Sequence, residues 1–126
     1  MIIKDEISRH LPDFLILCRT HSVRYLYAFG SATTERFDDA KSDIDLLVEI
    51  DEPDPIKRGE KLISLWDTFE DFFKRKVDLL TDSRIRNPYL RKSIDSTKVL
   101  IYDGKKSKVL VLYLAPLKDE VKIRLK

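Results

Sequence analysis

Cysteine occurs once, at Cys18, and histidine twice, at His10 and His21, in a chain of 126 residues. One thiol closes no intrachain disulfide, and these three residues do not have the spacing of a cysteine- or histidine-based metal cage. Long apolar runs are missing too. The longest uncharged one is the seven residues Val109–Ala115, against the roughly 20 that a membrane-spanning helix needs. No membrane partner is therefore expected. Glycine and proline are scarce, with 3 and 5 copies beside 43% apolar residues, which argues against a low-complexity or disordered chain. The opening "MIIKDEISRHLPDF" carries acids where a secretion signal needs a basic stretch followed by an apolar one. A cytoplasmic location is the expectation.

What is present fits one domain, burying about two-thirds of its unfolded surface. Charge is abundant and uneven. Residues 1–104 hold 17 bases and 20 acids, and residues 105–126 hold 7 bases and 2 acids, so a body of −3 is joined to a tail of +5. Between Asp38 and Asp54 eight acids face a single base, Lys41. Such crowding costs repulsion unless water screens it or cations neutralise it. A solvated acidic loop and a cation site are both consistent with it.

Ile7, Leu11, Phe14, Leu15 and Cys18 recur at helical spacing, with Pro12 dividing the stretch into a short turn and a helix of about 11–20. "VRYLYAF" reads as a strand ending at Gly30. "DIDLLVEI" alternates, placing Ile44, Leu46, Val48 and Ile50 on a buried face and Asp43, Asp45, Leu47 and Glu49 on the other. Ile56, Leu62, Ile63, Leu65, Trp66, Phe69, Phe72 and Phe73 follow as the apolar face of a long helix. "VDLLT" is a short strand, "NPYLRKSI" a helix capped by Asn87 with Pro88 at its first position, and "KVLIY" a strand closed by Asp103-Gly104. The remainder reads as strand, turn and strand, or as a helix from Pro116. The order defines an α+β domain over 1–104, with helices on one face of a mixed β-sheet and the other face open. Residues 105–126 form a basic extension, expected as a β-hairpin packed on or extending the domain.

Chemistry points to the acids. Residues two apart on a strand face the same way, so Asp43 and Asp45 set two carboxylates roughly 6.5–7 Å apart at the backbone. Divalent cations let such a pair remain ionised, and oxygen-only ligands favour Mg²⁺ or Mn²⁺ over zinc. Asp78 joins them if its strand lies beside that of 43–50. Gly30-Ser31, at the end of the preceding strand, opens "SATTERF" as a short helix and offers a backbone bend, amides and a hydroxyl to a phosphate. Taken alone, each feature also fits a solvated strand end or an ordinary capped turn.

Together, "AFGSATTERFDDAKSDIDLLVE", "KVDLLT" and "NPYLRKSID" resemble the minimal nucleotidyltransferases of the DNA polymerase beta superfamily, small proteins often encoded beside a HEPN-domain protein. The likeness spans about residues 7 to 104. Eleven residues, Ala32 to Ser42, separate Gly-Ser from Asp-x-Asp, one more than is usual in the family, and the frequent second glycine of that loop is absent. The resemblance implies the nucleotidyltransferase fold, two metal ions on Asp43, Asp45 and Asp78, and a nucleotide held by Gly30, Ser31 and Arg36. Mg²⁺ is the expected ion, with Mn²⁺ as a substitute. Arg36 and Lys41 serve equally well as solvated counter-charges to Asp38 and Asp39.

The resemblance further implies transfer of AMP from ATP to a tyrosine hydroxyl of a HEPN toxin, making this chain an antitoxin. A phenol ionises more easily than an aliphatic hydroxyl, which suits it as acceptor. The alternative is a binding module that neutralises its partner by occlusion. Nucleic acid is not expected as a partner, since the +5 tail lacks interleaved aromatics. Self-association is left open.

Overall fold

The computed structural model describes residues 2–33 and 43–113. Two short helices, α1 (Ile2–Arg9) and α2 (Leu11–Thr20), precede strands β1 (Val23–Phe29) and β2 (Ile44–Ile50). Helix α3 (Pro55–Phe73), strand β3 (Val77–Leu80), helix α4 (Pro88–Thr97) and the hairpin β4 (Val99–Asp103) and β5 (Lys108–Val109) complete the order. The sheet runs β3-β2-β1-β4-β5, with only β2 and β3 parallel, so α3 is the crossover between them.

Residues 2–9 form a helix where the sequence suggests only a turn. Ile3 and Ile7, one helical turn apart, are fully buried and make the segment amphipathic. Pro12 then starts α2 instead of bending a longer helix, because proline is tolerated in a first turn. Phe14, Leu17 and Cys18 from α2 and Leu65, Phe69 and Phe73 from α3 pack on Leu26, Ala28, Ile44, Leu46, Val48 and Ile101 of the strands. Burial pushes the Cys18 thiol well above its ordinary pKa. His21 is structural: Nδ1 lies 2.8 Å from the Leu17 carbonyl and Nε2 2.9 Å from Ser64 Oγ, joining α2 to α3.

Helix α3 begins where Asp54 accepts from the amides of Ile56 and Lys57, and ends at Lys74 in the left-handed region. Its apolar stripe is narrower than the sequence pattern suggests. Ile56 and Ile63, assigned to the core, are 74% and 67% exposed. Below the helix, Trp66 Nε1 donates to the Val77 carbonyl at 2.7 Å and the Val77 amide donates to Glu70 Oε2 at 2.9 Å. Two side chains one turn apart thus clamp the first residue of edge strand β3.

The helices do not share one face. Ile94 of α4 packs with Phe29, Leu47 and Ile85 on the side of the sheet away from α1–α3, with Tyr27 and Leu80 at the margin. Leu47, placed by alternation on an open face, is consequently buried. The expected capping of α4 is present, Asn87 Oδ1 accepting from Tyr89 N at 2.9 Å and Leu90 N at 3.4 Å.

The hairpin of β4 and β5 carries the sheet past Gly104, where a side chain would collide with the Val23 carbonyl. After the two residues of β5 the chain makes a 3-10 turn at Val111–Tyr113 instead of a longer strand, and Val109 and Val111 are both buried in the core. The second strand expected over 121–126, and the helix considered from Pro116, lie outside the described residues.

Candidate active site

The register of three strands gathers the carboxylates. Phe29, the last residue of β1, pairs with Asp45 on β2, and Asp45 stands level with Asp78 on parallel β3. Neighbouring strands lie about 4.8 Å apart, so these two side chains leave the sheet next to each other. Asp43 sits just before β2, two residues from Asp45. Asp43 and Asp45 are half-buried and Asp78 is exposed.

Burial, then the charge of Asp78, then that of Asp43 raise the Asp45 carboxyl to about 6. Every one of those causes disfavours the anion, which is what a cluster of acids without a counter-ion must show. Among the described residues, Asp43, Asp45 and Asp78 make no ion pair with lysine or arginine. Nor are three acid, histidine or cysteine side chains already gathered into a metal cage among the described residues. The donor set is nonetheless oxygen-only, adjacent and, among the described residues, uncompensated, and these properties fit a hard divalent cation.

Gly30 supplies the space. Its φ of +67 lies in the left-handed region, and a Cβ there would stand 2.7 Å from Asp45 Oδ2. The backbone conformation favours glycine, and a side chain there would have to displace the Asp45 carboxylate. The motif suggests the Gly30 amide as a phosphate donor. Gly30 N donates to Thr97 Oγ1 at 2.9 Å, while the Gly30 carbonyl accepts from Thr33 Oγ1 at 2.8 Å. Both backbone groups are committed to the fold. Ser31 follows within a 3-10 turn, Gly30–Thr33, which replaces the first part of the expected helix. Arg36 and Lys41, the expected phosphate counter-charges, lie outside the described residues. Thr97 itself has no signal in the sequence, being a helix-ending threonine whose partner is 67 residues away.

Residues 15–107 match the family model described as polymerase beta, nucleotidyltransferase, a stretch that includes Gly30, Ser31, Asp43, Asp45, Asp78 and Thr97. The chain belongs to the polymerase beta nucleotidyltransferase family. It is 35% identical over 99 residues to a protein of Methanocaldococcus jannaschii named "putative protein adenylyltransferase", covering 79% of this chain and 94% of the relative. A second protein of that organism with the same name is 39% identical over 101 residues, at the same coverage. Among solved structures, a toxin-antitoxin crystal structure with AMP-PNP superposes at a TM-score of 0.52 and 20% identity, covering 97% of this chain and 94% of that one. A mutant of the toxin-antitoxin MntA-HpeT gives 0.52 and 18%, covering 90% and 94%. At these identities the two structures show a shared fold.

Proposed function

We propose that this nucleotidyltransferase moves AMP from ATP to a hydroxyl of a partner protein, a HEPN-domain toxin that it silences as antitoxin. The observation that carries the reading is the Asp45–Asp78 pair, side by side on parallel strands with Asp43 beside them and no base to neutralise them among the described residues. The names of the relatives support protein adenylylation, and the chain matches nearly their whole length. The toxin-antitoxin neighbours support the partner class through the fold they share with this chain.

Asp43, Asp45 and Asp78 would hold the Mg²⁺ ions, two by the family's pattern, with Mn²⁺ as substitute. Asp45 is a half-buried member, beside Gly30, and Asp78 is the exposed one. When bound, the ions lower the pKa of an attacking hydroxyl and offset the charge of a triphosphate. The Gly30 backbone shapes the turn, and Gly30, Ser31 and Arg36 would hold the nucleotide. The exposed side of Asp78 leaves an approach for the acceptor hydroxyl toward the α-phosphorus, from which pyrophosphate departs.

The test is incubation of the chain with ATP labelled at the α-phosphate, Mg²⁺ and the HEPN protein encoded beside it. Label on a tyrosine of the partner is the expected result. A demonstrated complex without label, and toxin suppression that is equal without Mg-ATP, would replace this reading with occlusion.

A further inference from the structure

We propose that Thr97 is a positioning residue for nucleotide binding: its hydroxyl holds the Gly30 turn in the shape the nucleotide requires. This rests on the reading that the Gly30–Ser31 turn lies against the nucleotide.

Three observations converge on Thr97. It is the last residue of α4, and its Oγ1 accepts the Gly30 amide at 2.9 Å. That same oxygen donates its proton to the Ser93 carbonyl at 2.8 Å, one turn back along the helix. With the proton committed there, a lone pair is left for Gly30, so the two bonds fix one another's direction. The third observation is the bolt beneath them. Ile94, fully buried one turn before Thr97, packs against Phe29, the residue that precedes Gly30. Helix and strand end are thereby held at two successive points, by apolar contact at Ile94–Phe29 and by a hydrogen bond at Thr97–Gly30.

The need for such a strut follows from the turn itself. Gly30 occupies the left-handed region and has no side chain to anchor it. Glycine has the widest backbone freedom of any residue. Because the peptide unit is planar, holding the Gly30 N–H also fixes the plane of the Phe29 carbonyl. The Thr33–Gly30 bond holds the far side of the same residue. A ligand site works only when its supporting groups are fixed to about 0.5 Å, and the Asp45 carboxylate stands where a side chain on Gly30 would reach.

The experiment compares the full chain with Thr97→Val, which keeps the shape and loses the acceptor, and Thr97→Ser, which keeps the hydroxyl. Two quantities are read: the exchange rate of the Gly30 amide by NMR, and the Kd for α,β-methylene-ATP with Mg²⁺ by titration calorimetry. Thr97→Val is expected to speed Gly30 exchange and to raise the Kd, each about five- to tenfold, the scale of one hydrogen bond. The Ile94 amide should keep its protection, and Thr97→Ser should return both quantities to within about twofold of wild type. A Gly30 amide still protected in Thr97→Val overturns the proposal, as does a freed amide with unchanged Kd. A serine variant that behaves like the valine one also overturns it, since shape and not the hydroxyl would then matter. Failure of the underlying reading is distinct: wild-type chain would itself bind no nucleotide, and the role of Thr97 would fall with it.

Discussion

Asp45 and Asp78 occupy the same level of two parallel strands, one half-buried and one exposed, with no lysine or arginine paired to either among the described residues. Their mutual repulsion is built into the register, and a proton or a cation relieves it.

Asp43→Asn and Asp45→Asn should each lower Mg²⁺-dependent transfer of labelled AMP by at least about 10²-fold, the scale of removing one electrostatic stabiliser of a transition state. Circular dichroism should show both variants folded. Transfer at the wild-type rate by either would remove these residues from the catalytic set.

The same repulsion sets a pH dependence for the metal-free chain. The folded pKa of Asp45, about 6, lies above its ordinary value of 3.8. The native state therefore binds the proton more tightly, and stability falls as pH rises through that window, the full penalty being present above about 6. With the half-exposed position discounted for solvent screening, Asp45→Asn should be more stable than wild type by about 1 kcal/mol at pH 8, a difference that is lost below about pH 3. Urea titrations in a chelator measure the difference. Identical pH profiles for the two chains would contradict it.

Gly30→Ala introduces a methyl group at 2.7 Å from Asp45 Oδ2 on a backbone with positive φ. A cost of about 1–3 kcal/mol is expected from the strain, read as a lower denaturation midpoint. An alanine variant as stable as the parent would mean that the turn relaxes freely.

Trp66→Phe leaves the Val77 carbonyl without the indole N–H that it accepts at 2.7 Å. The expected loss is about 1–3 kcal/mol. Since Val77 precedes Asp78, transfer activity should fall at temperatures where the fold is still intact. Native-like activity in this variant would show that Glu70 alone aligns β3.

Much of this architecture is legible in the residues alone. Period-two alternation locates β2 and points Asp45 away from the apolar core, and the order of motifs locates the acids. Other features depend on three dimensions. Helical spacing tells which side of α4 is apolar, yet not which face of the sheet that side covers, so the burial of Leu47 and Ile94 against each other has no one-dimensional signal. Ile56 and Ile63 fit the helical pattern yet lie outward, the buried positions of α3 being Leu65, Phe69 and Phe73. The Thr97–Gly30 bond joins residues whose chemistry carries no mutual signature.

Cys18, enclosed between helix and sheet with its thiol held protonated by burial, is a poor target for maleimides. It is also the chain's single cysteine, so the wild-type background is already quiet for site-directed labelling. A cysteine introduced at Tyr89, 84% exposed in the first turn of α4, would carry a fluorophore without prior removal of the native one. Its emission then reports the surroundings of that helix with and without nucleotide.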